Sequence, residues 1–455
     1  MTVLPEPPTR VRYGVLAFLA AMTFILYLDR VCMGQAAPAI QRELGISDSW
    51  MGVVFSAFSL SYVLFEIPTG RWGDRYGSRG VLTRIVIWWS LFTALTGFAW
   101  GLWSLIAIRF LFGAGEAGAL PNSARVLRVW FSDANRGRAQ AFVATSMLLG
   151  GTFSPLVSQR LMDAVGWRWT FGIFGLVGVA WALAFSYWFR DDPATHPAVN
   201  EPERRLIGEG RRGEDVTPTH ESIPWRHVLR SPDVWLLGLA MVTMAATYNL
   251  LISWYPKYLQ EARGVSATDS GMYSSFVLGT GAVGCLLGGW LTDRLTRGFA
   301  GRRWGRTLQA VLGAGLAAAA LGASLRVDSP VLSTALVAAA CFGVQIQMPS
   351  WWASATLVSG RHVGALFGFM NMIGNVGGIA SPAFFGWFLD VMKAAGRSGR
   401  DQWEPGFWIY VGLSLVGVAL WAFVDPRRVV GRDDRGADLP PSPLPPGEGG
   451  RVSGG

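Results

Sequence analysis

Four ionisable residues stand where long apolar runs should exclude them: Asp29 and Arg30 in one run, Arg109 and Glu116 in another. An Arg or Asp at the centre of a bilayer-spanning helix costs about 2.5–3.5 kcal/mol on insertion scales, so such groups face a bundle interior or a water-filled cavity. Arg109 and Glu116 lie two turns apart on one helical face, roughly 10 Å along the axis. That is too far for direct contact. The two either bracket a small anion or each pair with another helix. Asp29 and Arg30 are adjacent, point about 100° apart and need separate partners. As two carboxylates and two guanidiniums the set sums to zero. Protonating a carboxylate frees an Arg, whose planar fork can grip both oxygens of a carboxylate substrate. This would couple proton uptake to anion binding, with Arg30 and Arg109 on the substrate and Asp29 and Glu116 carrying the proton. The same four charges can instead form a structural ion-pair network that fixes helix packing.

Other polar residues in apolar runs carry weaker signals. Tyr62, Tyr248 with Asn249, Gln345 with Gln347, and Asn371 with Asn375 can each meet substrate hydroxyls or serve as helix–helix glue. Of these, Tyr62, Asn371 and Asn375 are assigned to substrate, the two Asn lying one turn apart on one face. Other chemistries find no support. Neither lysine, Lys257 nor Lys393, follows a Gly, so no P-loop exists. Gly-x-Gly-x-x-Gly begins at Gly113, Gly208 and Gly279, never after an expected strand. His196, His220, His227 and His362 all fall in expected loops, which excludes an intramembrane His relay. Cys32, Cys285 and Cys341 have no metal-site or disulfide spacing and read as small buried hydrophobes. No nucleophile–base set or metal cluster is evident, so neither an enzyme nor a cofactor site is expected.

The elements that hold these residues follow from composition. Of 455 residues, 51% are hydrophobic and 15% charged, with a mean hydropathy of +0.33. Soluble chains carry roughly a quarter charged residues, so a multi-pass membrane protein is expected. A span needs about 20 mostly apolar residues. Twelve candidates lie near 13–36, 49–70, 81–99, 102–127, 139–163, 167–189, 233–256, 271–294, 306–326, 330–357, 363–391 and 405–424. The first follows Arg10 and Arg12 and runs on into further membrane-like sequence, so it reads as a retained span. The fold class is therefore all-α, with a cytoplasmic tail at 1–12, a six-helix bundle at 13–189, a linker at 190–232, a second bundle at 233–424 and a disordered tail at 425–455. The net charge of +9 comes from Arg placed between apolar runs, which is a topology signal and not a nucleic-acid surface. Most Lys and Arg fall on the side of the termini and roughly a quarter on the other, which puts both termini in the cytoplasm.

The halves repeat each other. Gly70-x-x-x-Asp74-Arg75 follows the second span and Gly289-x-x-x-Asp293-Arg294 the eighth. Gly150-Gly151-x-x-Ser154-Pro155, with Asp163 further on, matches Gly377-Gly378-x-x-Ser381-Pro382 with Asp390 at the same spacing. Duplicated six-span halves mark one large class of transporters.

Gly70-Arg-Trp-Gly-Asp74-Arg75-Tyr-Gly77-Ser-Arg79 resembles the signature loop of the major facilitator superfamily, between its second and third helices. The resemblance implies a cytoplasmic latch that breaks and reforms during alternating access. Within that superfamily the chain is similar to the anion:cation symporters, which include hexuronate, aldonate and sialic-acid carriers, over nearly its whole length to about residue 424. Asp29-Arg30-Val-Cys32 with Ala36-Ala37-Pro38, Arg109 with Gly115-Glu116-Ala117 and Pro121, Arg136-Gly-Arg138-Ala139, Gly166-Trp-Arg168-Trp with Phe171, and Trp254-Tyr-Pro256-Lys-Tyr258-Leu259 carry it. So does Asn375 with Gly378 and Pro382. The resemblance implies that Arg30 and Arg109 hold a substrate carboxylate while Asp29 and Glu116 couple protons. Cys32 stands where that group often has Asn, and Glu66 where it often has Gln. The expected function is proton-coupled symport of a small organic anion, a sugar acid such as a hexuronate or aldonate, by a monomer in the inner membrane. An anion exchanger or a drug-efflux antiporter on the same fold is the alternative, and two buried Arg argue against an efflux pocket.

Overall fold

The structure is a computed structural model. It describes residues 6–208, 225–297 and 301–425, without the side chains of 67, 70–74, 76, 227, 301–303, 361, 363 and 364. The disordered tail expected beyond 425 lies outside the described residues, as does most of the linker's second half.

The first half contains α1 (Val11–Leu44), α2 (Asp48–Tyr76), α3 (Ser78–Thr96), α4 (Leu102–Glu116), α5 (Ala119–Trp130) and α6 (Asp133–Trp188). After the short α7 (Glu201–Gly208) and α8 (Trp225–Arg230), the second half contains α9 (Pro232–Ser253), α10 (Tyr255–Glu261), α11 (Ala267–Arg297), α12 (Gly301–Ser324), α13 (Pro330–Gln345), α14 (Met348–Ser359), α15 (Val363–Ala394) and α16 (Arg400–Phe423). No strand occurs among the described residues. Ten stretches, each a helix or a joined pair, are long and apolar enough to cross a membrane. Two features bring these to the twelve spans read from the sequence. The 56-residue α6 reverses at Gly166, where φ is 79°, and so counts twice. The 19-residue α3, which carries Arg79 and Arg84, completes the set. α4 with α5, and α13 with α14, are single spans interrupted near their middles.

The sequence repeat becomes a repeat of contacts. Gly150 lies on the backbone of Phe24, and Ser154 Oγ donates to the Leu28 carbonyl (2.6 Å), fixing α6 to α1. In the second half Gly377 lies on the backbone of Val242, and Ser381 Oγ donates to the Ala246 carbonyl (2.9 Å), fixing α15 to α9 in the same register. The paired aspartates cross between halves. Asp163 accepts from Thr268 Oγ1 (2.9 Å) in the first turn of α11. Asp390 accepts from the Ser49 N–H (2.8 Å) and Oγ (2.5 Å) in the first turn of α2. Asp390 thereby satisfies backbone N–H groups at the start of α2, whereas Asp163 meets only a side-chain hydroxyl at the start of α11.

Among the described residues, further bonds joining the halves lie at this same end, away from α7 and α8. Gln35 Nε2 donates to Gln159 Oε1 (2.7 Å) and Ser270 Oγ (3.1 Å). The Lys257 ammonium pairs with Asp48, both side chains buried. Burial holds the Glu261 carboxyl above the usual carboxylate range, against the pull of the adjacent Lys257. At Gly52 an added Cβ would lie 2.4 Å from the Pro382 carbonyl oxygen of α15. A Gly52→Trp variant should therefore be unable to close this seam. The transport that the family resemblance implies should fall at least tenfold, and a cysteine placed at Ser56 should become labelled by a membrane-impermeant thiol reagent from the seam side. Unchanged transport and no labelling would show that the seam does not open.

At the other end the linker clasps the first half. α1 has no acid in its own first turn. Glu203, fully buried, supplies one, accepting from the backbone N–H of Val11 (3.1 Å) and Arg12 (3.2 Å) and pairing with Arg12 Nη1 (3.1 Å). His196 sits edge-on to Trp130 and Trp188, and burial together with the Arg190 charge pushes its imidazole below the ordinary range. In the signature loop, Arg79 donates from Nε to the Ser186 carbonyl (2.8 Å), and its N–H donates to Asp191 Oδ1 (2.9 Å). Gly77 ends α2 and caps α3, and Arg75 lies in the last turn of α2. The side chain of Asp74, and everything beyond the backbone at Gly70, lie outside the described set.

Candidate functional site

Between the halves lies a cavity of about 250 Å³. The first half contributes Tyr27, Arg30, Phe58, Ser59, Tyr62 and Arg109, and the second Tyr248, Asn249, Gln345 and Asn375, with a methionine-rich wall of Met147, Met241, Met244 and Met348. Both guanidiniums thus reach one hollow, from α1 and α4.

Their partners differ. Arg30 pairs with Glu116 of α4, Nε at 3.1 Å and Nη2 at 2.9 Å from the same Oε1. Its guanidinium also stands over the rings of Tyr27 (4.8 Å), Phe58 (5.0 Å) and Tyr62 (4.8 Å), contacts worth about 0.5–2 kcal/mol each as desolvation increases. Of the two arrangements open to Glu116, pairing across to another helix is the one found. Arg109 is only 2% exposed. Its side chain has no hydrogen bond or ion pair among the described residues, its Nε is unpartnered, and it lies over Phe112 (4.4 Å) and Phe58 (5.2 Å). Asp29 and Glu116 act on it only from a distance, without an ion pair among the described residues, so this buried cation is incompletely compensated.

The acids sit behind this layer. Asp29 is 1% exposed, turns toward α3 and accepts from Thr93 Oγ1 (3.3 Å), leaving Oδ1 unpartnered. Glu116 keeps Oε2 unpartnered. Neither lines the cavity, yet the two acids lie within electrostatic reach of each other and of Arg109. A purely structural network would pair all four charges. Among the described residues one pair forms, Arg30 with Glu116, and both Asp29 and Arg109 are left without an ion pair.

The other assigned residues divide. Tyr62 and Asn375 line the cavity, and Asn371 does not. The lining level of α15 is that of Asn375 and Gly378. Asn371 is one turn removed, about 5.4 Å, and contributes its carbonyl to Asn375 Nδ2 (3.0 Å). Tyr248, Asn249 and Gln345 do line the cavity, whereas Gln347 donates to the Gly343 carbonyl (2.8 Å) and faces a separate small void. Cys32 is fully buried in the apolar core, and neither it nor Glu66 lines the cavity. Sequence reasoning missed Tyr27, Ser59, Trp352 and the methionines. Tyr27 was accessible by spacing, since it precedes Arg30 by three residues and shares its face. The methionines carry no such signal.

Comparisons with known proteins extend the picture. Residues 19–382 match the family model described as Major Facilitator Superfamily. A Cupriavidus necator protein named "Probable sulfoacetate transporter SauU" is 32% identical over 94% of this chain and 97% of its own. The D-galactonate transporter of Escherichia coli O6:H1 is 31% identical over 84% of this chain and 90% of its own. The hexuronate transporter of Bacillus subtilis is 28% identical over 88% and 93%. Among solved structures, a bacterial homologue of the human lysosomal transporter Spinster superposes with a TM-score of 0.74 at 19% identity, covering 91% of this chain and 96% of its own. The D-xylose–proton symporter gives 0.70 at 14%, covering 91% and 98%. At these identities the superpositions report on fold alone.

Proposed function

The chain belongs to the Major Facilitator Superfamily, and from that membership we propose that it carries a small organic anion, a sugar acid such as an aldonate or hexuronate, in symport with protons. It is a multi-pass membrane transporter and not an enzyme. The observation that carries the reading is Arg109, a buried guanidinium on the cavity wall with no ion pair among the described residues. The named substrates of the relatives are acids, which agrees with an anion filling that place. Tyr248, Asn249, Gln345 and Asn375 on the opposite wall suit the hydroxyls of such a substrate.

Coupling follows from the Arg30–Glu116 pair. With Glu116 ionised, Arg30 is occupied. A proton on Glu116 neutralises the acid and releases Arg30 toward the cavity, where it joins Arg109 on the substrate carboxylate. Asp29, near enough to feel both charges, is a second proton carrier. The cycle rocks the two halves about the cavity, and the signature loop from Gly70 to Arg79 acts as the latch on the terminus side. Positive charge on that side supports cytoplasmic termini and a bacterial inner-membrane location. Because one chain supplies the whole cavity, the functional unit is the monomer.

The test is uptake of galactonate, glucuronate and sulfoacetate into proteoliposomes, with and without an imposed proton gradient. Gradient-driven accumulation of at least one acid, abolished by an uncoupler, is the expected result. Substrate flux without proton flux would reassign the protein as an exchanger.

A further inference from the structure

A second, larger hollow lies on the outside of the first half. About 730 Å³ in volume, it is walled by Phe65 and Thr69 of α2, Val81, Arg84, Ile85 and Trp88 of α3, and Leu111, Ala114 and Gly115 of α4. The surrounding apolar side chains are exposed, among them Leu60 and Leu64 of α2, Ile87 and Leu91 of α3, and Leu111 of α4. A protein surface this apolar on a spanning bundle faces acyl chains. The Trp88 indole N–H is engaged by the Leu111 carbonyl (2.9 Å), so the ring forms a fixed apolar side of the hollow.

One lining residue does not fit an acyl-chain environment. Arg84 is exposed and, among the described residues, is the only charged one in the lining and makes no hydrogen bond or ion pair. It lies six residues into α3, about 9 Å below the helix start. That depth is within reach of the headgroup layer for an extended Arg side chain. A cation at the mouth and an apolar floor beyond it match a molecule with a negative head and a hydrocarbon tail.

We propose that this groove is a binding site for one anionic phospholipid of the leaflet on the terminus side, its phosphate on Arg84 and one acyl chain along Phe65, Ile85, Trp88 and Ala114. The site lies on the outer side of α4, the helix whose Arg109 lines the cavity. It is separate from the transport cavity and shares no lining residue with it.

Native mass spectrometry of the full-length protein in detergent, titrated with dioleoylphosphatidylglycerol or dioleoylphosphatidylcholine, tests this. The parent protein should retain one phosphatidylglycerol in preference to phosphatidylcholine. Arg84→Gln should weaken that retention about fivefold, the effect of one basic residue on an anionic lipid, and Arg84→Lys should keep it. Ala114→Phe, which fills the groove and leaves Arg84 in place, should also lose it. Melting curves identify any variant that fails to fold, and Arg84→Gln, exposed and unpartnered, should melt with the parent. Equal retention of the two lipids by the parent, undiminished retention in folded Arg84→Gln or Ala114→Phe, or displacement by millimolar inorganic phosphate alone would overturn the assignment.

Discussion

Replacing Arg109 with alanine should abolish acid uptake while leaving the protein as stable as before, or more so. Removing one member of a buried charge contact costs about 2–5 kcal/mol, equivalent to a loss in apparent affinity of roughly 30-fold to several thousandfold. Stability should behave differently, because the residue is 2% exposed and its guanidinium forms no ion pair among the described residues. Its removal eliminates a desolvation cost and breaks no ion pair. The methylene stem and the ring contacts with Phe58 and Phe112 are a minor packing loss by comparison. Arg109→Lys should recover part of the binding, since an ammonium keeps the charge and lacks the bidentate fork. Uptake kinetics in proteoliposomes, read beside a melting curve, check both halves of the statement. Near-normal uptake by Arg109→Ala would remove the anion-binding role, and a large fall in melting temperature would show that the residue is structural.

The second large effect concerns Glu116. Glu116→Gln removes the acid that occupies Arg30 and replaces a titratable group with one that never changes charge. Accumulation against a gradient should be lost, and exchange of labelled for unlabelled acid across the membrane should persist. The exchange rate should no longer vary with pH between mildly acid and mildly alkaline conditions. Loss of a buried partner is ordinarily strongly destabilising, about 3–5 kcal/mol. Here Arg30 retains three aromatic faces and a side chain 19% exposed on the cavity wall, so the loss should fall below that range. Asp29→Asn in parallel assigns the carrier: coupling retained in Glu116→Gln and lost in Asp29→Asn would transfer the proton to Asp29.

The spans were legible because the bilayer enforces length and hydropathy, and the repeat in the sequence reappears as matched contacts of Ser154 and Ser381. The four misplaced charges were legible for the same reason. Which Arg pairs with which acid was not, because the choice depends on how α1 and α4 approach one another, and helix spacing fixes positions only within one helix. Asn371 and Asn375 illustrate the limit: a shared helical face does not state how far along the axis the cavity extends. The methionine wall was invisible because an apolar side chain in an apolar run reads the same against cargo, lipid or core.

The inter-half seam at Asp48, Lys257 and Asp390 bears on how the molecule can be inhibited. With that face bolted by carboxylates seated on the helix starts of the opposite half, a blocker offered from there finds no doorway. A compound meant to jam the molecule in this closed-seam state must enter from the end of the bundle opposite the bolt, or be designed to pry apart the bolt itself.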